Sequence, residues 1–89
     1  MPTNASNETR KKELCQDIGY FFGAYFEENG QFCIQHDGKI DRFNSTDDLL
    51  VAWHKILTAD PKLAWEWHEE IKYIEDEIIS TRLEEANNG

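Results

Sequence analysis

The sequence predicts a small α+β domain with the element order α-β-β-α-α, in which a β-hairpin packs against helices. Three observations predict it. Apolar residues recur at helical spacing in three segments, an Asp-Gly pair separates two short apolar segments, and Ser45 and Asp60 stand where helices begin. A chain of 89 residues has room for one hydrophobic core. We expect this domain to cover residues 8–83, with flexible tails at 1–7 and 84–89.

The first helix is predicted for residues 8–28. Four apolar residues recur at helical spacing: Leu14, Ile18, Phe21 and Tyr25. Gly30, directly after Asn29, is a natural left-handed stop at the helix C-terminus. Gly19 and Gly23 each lower helix propensity by about 1 kcal/mol relative to alanine. We therefore expect them to allow close packing against the sheet or a neighbouring helix.

A β-hairpin is predicted for residues 30–43, GQFCIQHDGKIDRF. Two registers are open. A two-residue Asp37-Gly38 turn would pair Ile34 with Asp41 and would mix apolar and polar residues on both faces. A three-residue loop at positions 36–38 would instead pair Ile34 with Ile40. Because register usually follows burial, the second register is the expected one.

The second helix is expected to begin at a Ser45 cap and to end near Thr58. Its apolar stripe consists of Leu49, Leu50, Trp53, Ile56 and Leu57. The third helix should run from Pro61 to Leu83, because Asp60 can cap it and proline is favoured in a first turn. Its stripe consists of Ala64, Trp67, Ile71, Ile74 and Ile78.

The segment WEWHEEIKYIEDE, residues 65–77, combines two tryptophans with six acidic residues. Trp67 belongs to the apolar stripe and is predicted to lie in the core. Trp65 lies about 140° from the centre of the stripe, so we expect it to be exposed on an acidic surface. The candidate partner-binding residues on that side are Trp65, His68, Glu69, Lys72, Tyr73 and Asp76.

The charge of the chain narrows the class of partner. The formal net charge is −9, and residues 60–89 carry nine acidic against three basic residues. Direct nucleic-acid binding needs cationic groups that displace phosphate counterions, and anionic membranes also attract cations, so neither is expected. A basic protein partner is the expectation. We find no secretory signal and no apolar run of about 20 residues, which predicts a cytoplasmic protein.

Catalytic and metal chemistry are not expected from the residues present. Cys15, Cys33, His54 and His68 do not have the short spacings of common zinc sites. Cys15 and Cys33 form no CxxC pair and are expected to be free, buried thiols. The alternative is a small enzyme or metal protein that uses Cys33, His36 or one of the other two histidines. We predict no enzyme activity, no metal and no cofactor.

The run STDDLLVAWHKILTADPKLAWEWHEEIKYIEDEI, residues 45–78, resembles in character the small acidic accessory proteins of bacterial mobile elements. Many proteins of that kind have no assigned role, and some are antirestriction or anti-CRISPR proteins. The resemblance therefore implies a bacterial protein and adds a little to the hypothesis of nucleic-acid mimicry. No site residue can be carried over from it.

The function expected from the sequence is a non-catalytic, acidic protein-binding module. Its specific form is a nucleic-acid mimic, in which carboxylates on a rigid helix imitate phosphates and occupy the groove of a basic DNA- or RNA-binding protein. Two alternatives stay open. The acidic face is a solvated surface without a partner, or Trp65, Tyr73 and Leu83 fill a homodimer interface of a structural domain.

Overall fold

The computed structural model describes the backbone of residues 3–88 and the side chains of residues 7–85. Its elements are α1 (Thr3–Phe22), β1 (Ala24–Glu28), β2 (Gln31–His36), β3 (Lys39–Phe43), α2 (Thr46–Ala59), α3 (Pro61–Glu66), α4 (His68–Ile74), a π-helical turn (Glu75–Ile79) and α5 (Ser80–Asn88). The α+β class and the order of a helix, a hairpin and further helices are therefore confirmed. The chain divides into two compact units, Met1–Leu50 and Val51–Gly89. Residues 1, 2 and 89 of the expected tails lie outside the described residues.

The end of the first helix differs from the prediction. α1 ends at Phe22, and the next residues form β1, the first strand of an antiparallel sheet with the order β1-β2-β3. The prediction of a helix that continues to Glu28 was therefore wrong. Asn29 and Gly30 have φ angles of 54° and 77°. Left-handed φ at two successive residues is the geometry of a two-residue hairpin turn, so this pair connects strands and does not end a helix.

Gly19 and Gly23 allow α1 to approach the sheet closely, as expected from the sequence. A Cβ atom at Gly19 would overlap the backbone of Tyr25 in β1. A Cβ atom at Gly23 would overlap the carbonyl oxygen of Gln35 in β2. The two glycines also close the last turn of α1, since the Gly23 N–H donates to the Gly19 carbonyl over 2.7 Å.

The predicted register of the hairpin was wrong, because Ile34 pairs with Asp41 and not with Ile40. The Asp37-Gly38 pair forms a two-residue turn with φ angles of 50° and 77°. Such a turn matches the twist of the flanking strands. Asp41 is tolerated on the face that α1 covers, because it accepts a hydrogen bond from His36 Nε2 over 2.9 Å. Ile40 is left 44% exposed on the opposite face.

The core of the first unit is formed by α1, the sheet and the start of α2. Its buried apolar residues are Leu14, Cys15, Ile18, Cys33, Ile34, Leu49 and Leu50. Phe21, which the helical spacing placed in the core, is 61% exposed. Gly19 is the residue of α1 that faces β1, and Phe21 lies about 200° further round the helix. Buried Thr46 links the two helices by donating its hydroxyl to the Glu8 carboxylate over 2.8 Å.

The predicted starts of the second and third helices are confirmed by their caps. Ser45 Oγ accepts a hydrogen bond from the Asp48 N–H over 3.0 Å at the start of α2. Asp60 Oδ1 accepts one from the Lys62 N–H over 2.9 Å, and Pro61 is the first residue of α3. These acceptors satisfy N–H groups that have no partner inside a helix.

The core of the second unit contains Trp53, Leu57, Trp67, Ile71, Ile74 and Ile78. Ile56, which was assigned to the stripe of the second helix, is 40% exposed and was placed wrongly. It lies about 100° from Leu57 around α2, at the margin of the buried face.

The third predicted helix is interrupted twice in the structure. Trp67 leaves helical geometry with φ −108° and ψ 22°, and residues 75–79 form the π-helical turn. The helical path nevertheless continues through the first interruption. The Trp67 N–H donates to the Leu63 carbonyl, and the Ile71 N–H donates to the Trp67 carbonyl, each over 2.8 Å.

Candidate functional site

The two neighbouring tryptophans of the acidic segment have opposite environments. Trp67 is 8% exposed and belongs to the core, whereas Trp65 is 75% exposed. Both predictions are confirmed. α3 places Trp65 on the outside because its start is set by the Asp60 cap and Pro61, and because the opposite side of this helical segment carries the buried apolar stripe.

Trp65 is held in place by His68. Their ring centroids lie 5.6 Å apart and the ring planes differ by 21°, which is a stacked arrangement. His68 Nδ1 lies 3.0 Å from the Trp65 carbonyl oxygen. Because a carbonyl oxygen can only accept, Nδ1 carries the proton and donates it. The imidazole is therefore fixed by its own hydrogen bond, and it supports one face of an indole that is otherwise open to solvent.

The carboxylates around this pair are accessible. Residues 65–77 contain six acidic residues and one basic residue, Lys72. Glu69 and Asp76 are both exposed. Lys72 Nζ lies 3.4 Å from Asp76 Oδ2, and these side chains are 78% and 57% exposed, respectively. Such an exposed ion pair contributes at most about 1 kcal/mol, so Asp76 can exchange it for a partner's cation at little cost.

The remaining predicted residue, Tyr73, is less accessible than the others. It is half-buried, so its ring offers a smaller contact area than Trp65 does. Glu75 already has a partner within the second unit, because its carboxylate lies 2.8 Å from His54 Nε2. We define the Trp65 surface as Trp65, His68, Glu69, Lys72 and Asp76, with Tyr73 at its margin.

The structure also exposes apolar residues that sequence reasoning did not select. Tyr20 and Phe21, in the last turn of α1, are 91% and 61% exposed. An open groove of about 520 Å³ lies between α1 and the start of β1, and its lining includes Tyr20 and Ala24. The Asn-Gly pair at positions 29 and 30 was the available signal, because that dipeptide is typical of hairpins and would have placed a strand before it.

The two thiols lie in the protein interior. Cys15 and Cys33 are free and 0% exposed. The pKa of Cys15 is raised to about 12, chiefly by burial and also by the nearby carboxylates of Glu8 and Asp47. The Cys15 thiol therefore stays protonated at neutral pH, whereas a nucleophile or a metal ligand would need the thiolate. Among the side chains of residues 7–85, no group of three His, Cys, Asp or Glu residues is placed to hold a metal ion.

Comparison of the chain with protein-family models, with curated proteins and with solved structures gives no match. No helix within residues 3–88 is long and apolar enough to cross a membrane. The functional residues are therefore assigned from geometry and chemistry alone.

Proposed function

We propose that this chain is a non-catalytic protein-binding module whose Trp65 surface binds a basic protein. The observation that carries the proposal is the 75% exposure of Trp65, held by a stacked histidine in a segment with six acidic residues. A large exposed ring is the kind of side chain that dominates protein interfaces, since one aromatic anchor can contribute more than 2 kcal/mol to binding.

The ring and the carboxylates would act differently in this interaction. The contact of His68 with Trp65 restricts the indole before a partner arrives, so less side-chain entropy is lost on binding. The carboxylates attract a basic partner over a distance of about 8 Å at physiological ionic strength and raise the association rate. Salt should therefore weaken the complex mainly through slower association.

The specific form that we propose is mimicry of nucleic acid. Glu69 and Asp76 lie on consecutive helical elements, α4 and the π-helical turn, and both are exposed. Carboxylates on rigid elements can take the places of backbone phosphates in the groove of a DNA- or RNA-binding protein. The partner would then be displaced by competing nucleic acid as well as by salt.

The experiment is a pull-down from a nuclease-treated bacterial lysate, read by mass spectrometry. The test bait carries Trp65→Ala, Glu69→Gln and Asp76→Asn. The matched control bait carries the same kinds of change on α1, namely Tyr20→Ala, Glu13→Gln and Asp17→Asn, at positions that are also exposed. Both variants lose the same charge and one exposed aromatic ring. Circular dichroism of both baits checks that they are folded.

We expect the wild-type bait and the α1 control bait to retain a basic protein. The bait with the altered Trp65 surface should lose this protein, and salt should release it. For a captured nucleic-acid enzyme, added DNA or RNA should compete. Equal retention by all three baits would show that the Trp65 surface is not the binding site. Retention of nothing by wild type would support a solvated acidic face without a partner.

The non-catalytic part of the proposal is supported by the thiols and histidines. The buried Cys15 has a raised pKa, and His36 and His54 are each held against a carboxylate, at 2.9 Å and 2.8 Å, respectively. Metal analysis of protein that was purified without an affinity tag tests this part. A stoichiometric bound metal, or a thiol that reacts rapidly in the folded protein, would contradict it.

A structural role through self-association is the second candidate, since Trp65 and Leu83 are 75% and 60% exposed. In that role these residues would meet their counterparts in a second copy. Light scattering separates the two functions. A salt-resistant dimer that dissociates with Trp65→Asp would favour self-association through this surface, and a monomer in the wild type would exclude it.

A further inference from the structure

β1 is an edge strand with a defined set of outward-facing backbone groups. The sheet order is β1-β2-β3, so only one side of β1 is paired within residues 3–88. The two-residue turn makes Glu28 and Gln31 a hydrogen-bonded pair, and the pairs alternate along the ladder. The N–H and C=O groups of Tyr25 and Glu27 therefore point away from β2, towards the open side.

The charges of β1 do not protect this edge. Exposed edge strands usually carry charged side chains that discourage pairing with another chain. Here the Glu27 carboxylate lies 3.5 Å from Lys12 Nζ and accepts the Tyr25 hydroxyl over 2.8 Å. The Glu28 carboxylate accepts from the Arg42 guanidinium over 2.6 Å. Each acidic side chain thus has a cation of its own unit beside it.

The side chains along β1 are self-complementary about Phe26. In an antiparallel pair of β1 strands centred on this residue, all five residues of each strand are matched. Tyr25 then lies opposite Glu27, Ala24 lies opposite Glu28, and the two Phe26 rings meet at the axis. Shifting the centre to Glu27 would place like charges opposite each other, which is destabilising. Shifting it to Tyr25 would leave Glu27 and Glu28 without a partner in the strand.

We propose that two copies of this chain associate through β1, antiparallel about a two-fold axis at Phe26, and so extend the three-stranded sheet to six strands. Tyr25 and Glu27 of each copy exchange backbone hydrogen bonds with the other copy. Phe26, which is half-buried in one chain, gains an aromatic contact on the sheet face opposite α1. This inference does not depend on the Trp65 surface.

The opposite edge of the sheet is a weaker candidate for the same pairing. On β3, Lys39 is exposed at the first strand position and is a typical protecting charge. The groove next to β1, lined by Gln16, Tyr20, Gly23, Ala24 and Tyr25, also leaves space beside that strand for the side chains of a second copy.

The test is amide hydrogen exchange by NMR on the wild-type chain at about 20 µM and about 1 mM, which brackets a weak association. The amides of Tyr25 and Glu27 should exchange at least tenfold more slowly at the higher concentration. The amides of Ile40 and Arg42 are the internal control, because they face outward on β3 by the same alternation. Their rates should not change.

Sedimentation equilibrium on two variants supplies the matched comparison. Phe26→Lys brings two cations together at the axis and should raise the dissociation constant at least tenfold. Ile40→Lys places the same charge on the same sheet face, at a site that is 44% exposed. This variant should leave the dissociation constant unchanged. The proposal would be overturned by a wild-type chain that is monomeric at about 1 mM, or by slower exchange at Ile40 or Arg42 in place of Tyr25 and Glu27. It would also be overturned by association that survives Phe26→Lys, or by a dimer that Trp65→Asp dissociates.

Discussion

Replacement of Gly23 by alanine tests the close approach of α1 to the sheet, because packing and helix propensity give effects of opposite sign. In the interior of a helix with no close neighbour, alanine in place of glycine would stabilise by about 1 kcal/mol. In the structure Gly23 follows the last residue of α1, and an added Cβ would overlap the carbonyl oxygen of Gln35. Alanine there gains no helix propensity.

The expected loss of stability depends on which atom the added Cβ would overlap. The Gln35 oxygen belongs to the backbone of β2, which is paired on both sides, so no side-chain rotation can relieve the overlap. Overpacking of this kind typically destabilises by about 1–3 kcal/mol, and we expect about 2 kcal/mol or more at this rigid site. For a chain of this size, 2 kcal/mol lowers the melting temperature by about 8–16 °C.

Urea unfolding followed by circular dichroism measures the change. Asp17→Ala is the control, because Asp17 is exposed within α1 and should respond only through helix propensity, with a gain of a few tenths of a kcal/mol. A Gly23→Ala variant that is as stable as wild type or more stable would refute the close approach of α1 to β2.

Three further predictions concern pH, capping and partner chemistry. The folded-state pKa of Cys15 is raised from 9.0 to about 12, so its contribution to stability is complete below pH 9 and is lost as pH rises towards 12. Between pH 8 and pH 10, wild type should lose about 1.4 kcal/mol more unfolding free energy than Cys15→Val; equal slopes in the two urea series would contradict this. Asp60→Ala should destabilise by about 0.5–2 kcal/mol, whereas Asp60→Asn, which keeps the acceptor, should stay near wild type in thermal unfolding. Finally, a guanidinium can stack on the exposed Trp65 ring, so calorimetry should show tighter binding of arginine-rich than of matched lysine-rich peptides, and Trp65→Ala should remove this preference.

The elements that sequence reasoning predicted well are those set by local chemistry. The starts of α2 and α3 followed from Ser45, Asp60 and Pro61, because a cap satisfies N–H groups a few residues away. The opposite environments of Trp65 and Trp67 followed from helical period alone. The helix starts and the environments of the two tryptophans could therefore be predicted without knowing what the helices pack against.

β1 could not be predicted in the same way, because the residues that follow it are compatible with two structures. Asn29-Gly30 can end a helix, with glycine in the left-handed region, or it can form a hairpin turn. The structure selects the turn, since both residues have positive φ and β1 pairs with β2. That choice is made by contacts between α1 and the sheet, which bring together residues that are distant in the sequence.

The hairpin register failed for a related reason. Burial favoured Ile34 opposite Ile40, while the turn chemistry of Asp37-Gly38 favoured Ile34 opposite Asp41. The turn decides, because the polar residue that it brings to the covered face is satisfied by His36 over 2.9 Å. A hydrogen bond between two side chains on different strands cannot be anticipated from the spacing of apolar residues.

The acidic helical segment shows why the side of a residue is predicted more reliably than the bounds of its helix. The interruption at Trp67 was not foreseen, yet the hydrogen bonds from Trp67 to Leu63 and from Ile71 to Trp67 carry the helical phase through it. Burial depends on that phase, so Trp65 remains outside even though the helix is broken beside it. In α1 the periodic argument failed at Phe21, because Gly19 faces β1 and Phe21 lies about 200° further round the helix. The exposure of Trp65, on which the proposed function depends, is therefore maintained by the hydrogen bonds of its own segment.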